Sequence, residues 1–177
     1  RQVEVERSLD RTKMEGGSAE VIKEAFWSRD LLLFRAKGAG SKIHIPIDIE
    51  ESGLYEILAQ VAHSSDYGEF TTLLDGKPLG AVNLEHEPGA NMVEESRLNL
   101  YHTELYVAEN HLLGWEQLSK GPHIITFVCT GKDSRSSNYF LGIDTLILSK
   151  VASFPHEDNP LADELRRIGE QGLAAVS

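Results

Sequence analysis

"KIHIPIDI", Lys42 to Ile49, sets Ile43, Ile45, Ile47 and Ile49 against His44, Pro46 and Asp48. In an extended chain successive side chains point to opposite faces, so this spacing predicts a strand with one face in a core. Pro46 cannot donate to a ladder and argues for an edge position or a strand end. The same signature continues outward from this stretch. "ESGLYEILAQVAHSS" turns at Ser52-Gly53 and then repeats Tyr55, Ile57, Ala59 and Val61 on one face. "EFTTLLDGKPLGAVNL", Glu69 to Leu84, alternates Phe70, Thr72 and Leu74 into Asp75-Gly76, a dipeptide favoured in tight hairpin turns.

Three further stretches extend the series. "GPHIITFVCTGK" enters through Gly121-Pro122 and is rich in β-branched and aromatic residues. "NYFLGIDTLILS" closes it, with a last strand expected from Tyr139 to Ser149. Upstream, "GGSAEVIKEAFWSRDLLLFRAK" has room for a short helical turn before Leu31 to Phe34, an apolar run suited to a buried strand. From Leu84 to Gly121 the pattern degrades into a long loop followed by one or two strands around Leu98, Leu100, Leu105 and Val107. Strands separated by turns, with no helical period between them, predict an all-β antiparallel sandwich.

At 177 residues the chain suits one ordinary domain with a real core. The boundaries expected are 1–152 for the sandwich and 153–177 for a linker and amphipathic helix. Asn159-Pro160 starts that helix, and Leu161, Leu165 and Ile168 recur at helical spacing. It reads either as a tail packed on the sandwich or as the start of a following domain. Opening on Arg1 rather than methionine, the sequence also reads as a processed piece of a longer polypeptide.

Charge narrows the partners. With 28 acidic and 17 basic residues the net charge is −11, which repels phosphate backbones, so nucleic acid is not expected. No apolar run approaches the roughly 20 residues of a spanning helix, so membrane insertion is not expected either. The single cysteine, Cys129, sits among apolar neighbours and reads as a small buried hydrophobe. Catalytic signatures are missing from the sequence: it has no nucleophile elbow, no Gly-rich phosphate loop and no H-E-x-x-H. His86, His102 and His111, interleaved with Glu85, Glu87 and Glu104, match no zinc spacing and read as solvated loop histidines.

"GLYEILAQVAHSSDYGEFTTLLDGKPLG", "LSKGPHIITFVCTGKD" and "NYFLGIDTLIL" together resemble the galactose-binding-like jelly-roll superfamily, especially the non-catalytic carbohydrate-binding modules found beside glycoside hydrolases. The order and spacing match from about Val3 to Lys150. The resemblance implies a jelly roll, a polysaccharide or oligosaccharide as partner, neighbouring domains on the same polypeptide, and a secreted or cell-envelope location. Fold does not settle function, because such sandwiches also serve as purely structural or protein-interaction domains.

A sugar site needs an aromatic face and a few planar polar groups. Trp27, Asp66, Tyr67, Trp115, Arg135, Asn138 and Tyr139 supply those types, with Asp133 nearby. Tryptophans in a sandwich of this size more often cap the core, whereas Tyr67 and Tyr139 sit in polar turns. Modules of this kind often hold a structural calcium between an N-terminal acid and an aspartate on the last strand; the resemblance implies Glu4 or Glu6 together with Asp144. Alternation from Tyr139 puts Phe140, Gly142, Asp144, Leu146 and Leu148 on one face, with Leu141, Ile143 and Ile147 on the other. A carboxylate among those residues must be satisfied by a cation or by backbone amides of the N-terminal segment.

Overall fold

A computed structural model describes residues 1–26, 29–79 and 98–152. The expected helical tail and Trp27 lie outside the described residues, as do His86, Glu85 and Glu87. Among the described residues, twelve strands form two sheets in which every strand pairing is antiparallel. In chain order they are β1 (Gln2–Glu4), β2 (Lys13–Glu15), β3 (Gly17–Phe26), β4 (Arg29–Ala36), β5 (Lys42–Ile49), β6 (Gly53–His63), β7 (Glu69–Leu74), β8 (Lys77–Pro78), β9 (Leu98–Asn99), β10 (Tyr106–Leu118), β11 (Gly121–Gly131) and β12 (Leu141–Val151). A 3₁₀ segment, η1 (Val5–Arg11), links β1 to β2.

One sheet runs β10-β6-β12-β4-β3, with β1 also paired to β12; the other runs β2-β5-β11-β7-β8, with β9 paired to β7. From β4 to β7, and again from β10 to β12, successive strands alternate between the sheets. Each apolar face is thereby turned toward the other sheet.

The alternation seen in the sequence is the alternation of burial. Ile43, Ile45, Ile47 and Ile49 of β5 are buried, as are Phe70, Thr72 and Leu74 of β7. Pro46 faces β11 on one side, while β2 covers β5 only from Lys42 to His44, so the proline occupies the open edge. The β7–β8 hairpin closes through Asp75 and Gly76, with φ of 49° and 81°. Both left-handed residues match the twist of the flanking strands.

Two expectations are corrected. The segment before Leu31 holds no helical turn over its described residues: Gly17–Phe26 is extended and pairs with β4 from Gly17↔Ala36 to Phe26↔Arg29. Pairing with a neighbouring strand outweighs the helix propensity of its alanines and glutamates. On β12, the buried large apolar side chains are Leu141 and Ile143 and then Leu146 and Leu148. The pairing with β6 slips between Ile143 and Thr145, so a bulge changes the parity. Asp144 therefore does not share a face with Leu146 and Leu148; it sits in the bulge, where β12 exchanges β4 for β1 as a neighbour.

Candidate functional site

Three loops meet at one end of the sandwich: 64–68 between β6 and β7, 100–105 between β9 and β10, and 132–140 between β11 and β12. Backbone hydrogen bonds sew them together. Ser137 N donates to Ser65 O at 3.0 Å, Phe140 N to Asp66 O at 3.1 Å, Gly68 N to Phe140 O at 3.0 Å and His102 N to Ser64 O at 3.1 Å. The buried Ser136 hydroxyl lies 2.6 Å from Tyr67 O, 2.9 Å from Asn138 O and 3.3 Å from Ser65 O. With one proton among three carbonyls, it donates to the nearest and pins the 132–140 loop onto the 64–68 loop. Gly68 is required for this approach, since a Cβ there would stand 3.0 Å from Gly131 O and from Tyr139 Cα.

The rim carries polar and aromatic groups in register. Arg135 donates to Asp133 through Nε (2.9 Å) and Nη2 (3.0 Å), while its guanidinium lies 4.6 Å from the centre of the Tyr101 ring. These donors hold the Asp133 carboxyl well below the usual carboxylate range. Lys132 Nζ donates to Ser136 O at 2.5 Å and stands 5.5 Å from the Tyr139 ring centre. Asn138 is exposed, whereas Tyr101 and Tyr139 are half-buried.

Five of the residues singled out in the sequence thus reach this rim: Asp66, Tyr67, Arg135, Asn138 and Tyr139. Tyr67 does so only through its backbone. Its ring is 4% exposed, and its hydroxyl would lie 2.6 Å from a Cβ at Gly142, so it fills the core behind the rim. That burial, with Asp66 nearby, pushes its phenol well above the ordinary range. Trp115 lies elsewhere. Tyr106, at the rim end of β10, pairs with His63, whereas Trp115 pairs with Glu56 toward the far end, with Nε1 buried and without a partner among the described residues. Reasoning from sequence overlooked Tyr101 and Asn99. The signal was available, since "LNLYHTELY" sets two tyrosines among polar residues.

A second site lies under η1. Glu4, Glu6, Arg29, Asp30 and Asp144 line an open pocket of about 670 Å³. Asp144 is 7% exposed, and its Oδ2 accepts from Arg29 Nη1 at 3.0 Å, so its partner is a guanidinium. Glu6 Oε2 is buried with no hydrogen-bond donor among the described residues. Burial raises the Glu6 carboxyl above its ordinary value, with Glu4, Asp144 and Asp30 adding to the rise. Glu4 pairs with Arg7 at 2.5 Å. Among the described residues, no three histidine, cysteine or acidic side chains already converge on one ion position.

Comparison with known proteins places the fold. A Paenibacillus xanthan lyase structure matches over 78% of this chain, with 17% identity and a TM-score of 0.64, and the match takes up 12% of the lyase chain. A family 35 carbohydrate binding module from Clostridium thermocellum matches over 85% of this chain and 99% of its own, with 11% identity and a TM-score of 0.50. The fold is the jelly-roll sandwich of carbohydrate-binding modules. The Podospora anserina GH26-CBM35 β-(1,4)-mannanase matches over 90% of this chain and 29% of its own, with 17% identity and a TM-score of 0.51. This chain therefore spans under a third of the lyase and the mannanase. No family model and no curated protein matches it.

Proposed function

We propose that this chain is a non-catalytic carbohydrate-binding module of a larger glycan-processing protein, with the ligand seated on the three-loop rim. The observation that carries the reading is the rim itself. Strands hold loops from distant parts of the chain so that Arg135 lies over the Tyr101 ring and Lys132 over the Tyr139 ring, with Asn138 exposed in the same loop and Asp66 on the loop bonded to it. A sugar presents an apolar C–H face beside hydroxyls, and such an edge offers a stacking surface beside planar hydrogen-bonding groups. The match of an isolated module over nearly its full length, and of minor parts of two much longer enzyme chains, supports an appended rather than a self-sufficient role. A secreted or cell-envelope location follows from the same reading.

Calcium belongs to this proposal as a structural ion in the pocket under η1. The donors are hard oxygens, and the unpartnered Glu6 Oε2 is a position a cation would relieve. Glu6 and Asp144 would hold it, with Glu4 joining on release from Arg7. Arg29, whose side chain is 59% exposed, would swing to solvent. The ion would tie the N-terminal segment to β12.

The test is a polysaccharide panel screened by affinity electrophoresis, followed by calorimetry on any hit. Tyr139→Ala and Asn138→Ala should each weaken binding about tenfold or more, the scale of losing a stacked ring or a satisfied hydrogen bond. Tyr67→Phe should leave it unchanged, because that ring faces the core. A folded chain that binds no glycan would favour the alternative of an accessory packing domain. Leu105, Tyr106 and Leu112, exposed at and just before β10, are what a packing partner would cover.

A further inference from the structure

His63, at the end of β6, and His111, on the neighbouring edge strand β10, bring their Nε2 atoms to 2.9 Å. Alternation along β10 would not make this meeting. The β10–β6 pairing slips between Ala108↔Val61 and His111↔Ala59, and the extra residue of that bulge turns His111 toward His63. Tyr106 fixes the first imidazole by stacking face to face on His63, with centroids 4.7 Å apart and planes 10° from parallel. His102 closes the other side of Tyr106, edge-on at 4.6 Å. Its Nδ1 is engaged by the Glu104 backbone, 3.1 Å from the N–H and 2.9 Å from the carbonyl; among the described residues no third histidine, cysteine or acidic side chain converges with the pair, so His102 packs around it.

Two nitrogens so close share one proton or one cation. Burial holds both imidazoles toward the neutral form, His63 down to about 4, with His111 and His102 beside it adding to the effect. Among the described residues neither ring has a carboxylate within hydrogen-bonding distance, so the two lone pairs meet each other across one shared proton.

We propose that His63 and His111 form a two-imidazole site for a divalent first-row transition metal, separate from the oxygen-lined pocket under η1. Imidazole nitrogens suit copper, nickel and zinc and do not suit calcium or magnesium. Among these ions Cu²⁺ binds most tightly by general affinity order, above Ni²⁺ and Zn²⁺. The rings now point nitrogen to nitrogen, with centroids 5.2 Å apart, so binding requires one of them to swing. His111 is the one free to do so, since it is half-exposed on an edge strand, while Tyr106 clamps His63. Water completes the shell.

The experiment titrates the full 177-residue chain with CuCl₂, NiCl₂, ZnCl₂ and CaCl₂ by calorimetry at neutral pH in a non-coordinating buffer. One Cu²⁺ per chain is expected, with Ni²⁺ and Zn²⁺ each about tenfold or more weaker. His111→Gln and His63→Gln should each weaken Cu²⁺ binding at least tenfold, while His102→Gln should change it less than threefold. Electron paramagnetic resonance of the Cu²⁺-loaded chain should count two nitrogen ligands, falling to one in His111→Gln. Melting curves of each variant establish that it is folded before it is titrated. If His63→Gln does not fold, the nitrogen count on the wild type and on His111→Gln decides by itself. The proposal is overturned by the absence of saturable Cu²⁺ binding, by binding that survives both His63→Gln and His111→Gln, or by a spectrum without two nitrogens.

Discussion

Replacing Asp144 with alanine separates two accounts of the pocket under η1. Asp144 is nearly buried, but its partner Arg29 is 59% exposed at the side chain and can return to water once the carboxylate is gone. The variant therefore leaves no trapped charge behind, and the loss lies nearer the exposed-pair value of up to about 1 kcal/mol than the roughly 3–5 kcal/mol of a broken buried pair. That pair is one charge-assisted hydrogen bond on a nearly buried acceptor, which sets the loss at about 1–2 kcal/mol. For a chain of this size each kcal/mol moves Tm by roughly 2–4 °C, so a fall of about 2–8 °C is expected in buffer containing a chelator. A structural calcium adds a second, separable effect. At a hundred times its Kd it stabilises the parent by about 2.7 kcal/mol, and Asp144→Ala should lose most of that response. Scanning calorimetry with calcium and with EDTA reads both. An Ala variant that melts within about 1 °C of the parent in both buffers would refute the pairing argument. A calcium response that survives in the variant would remove Asp144 from the ion site.

Glu6 offers the complementary test. Its carboxyl is raised in the fold, so the native chain binds the proton more tightly than the unfolded one, and stability falls as pH rises through the ordinary glutamate range into the raised value. Without calcium, Glu6→Gln should therefore raise Tm at neutral pH; with calcium it should lower it, and melting in the two buffers gives the signs. His123 behaves oppositely in charge but is read the same way. Burial alone would lower its pKa, yet the Asp75 carboxylate at 2.6 Å and the Ser119 carbonyl at 2.7 Å raise it overall. The stabilisation is present below the ordinary histidine pKa and is lost as pH climbs through the raised value, so the Tm-against-pH slope between about pH 6 and 8 should flatten in His123→Gln. Ser136→Ala should cost about 1–3 kcal/mol by leaving Tyr67 O without its donor, measured by urea unfolding, and should weaken any glycan bound at the rim along with it.

Much of the sandwich was legible because its cause is local. A strand buried on one face must alternate, so the isoleucines of β5 and the Phe70, Thr72, Leu74 series of β7 announce both strand and facing. The Asp75-Gly76 turn was readable for a similar reason, since two adjacent positive φ angles demand those residue types. Rim residues Asp66, Arg135, Asn138 and Tyr139 could be chosen by chemical type, and their segments do meet.

Facing near the bulges depended on the neighbours of a strand. On β12 the slip after Ile143 arises where β4 departs and β1 arrives, and an extra residue reverses every side chain that follows. Period-two reading therefore assigned Asp144 to the wrong face, and a guanidinium 115 positions away in the chain, Arg29, answers the charge. The same kind of slip on β10 made the meeting of His63 and His111 invisible from their spacing. Tyr67 shows the limit from the other side. A tyrosine in a polar turn reads as exposed, but the 132–140 loop folds over its backbone while Gly142, lacking a Cβ, leaves room for its hydroxyl. Alternation and turn chemistry act between adjacent residues, so one chain segment carries them. Strand exchange, bulge parity and loop closure are set by groups tens of residues apart, and their free energies exist only once the two sheets have packed.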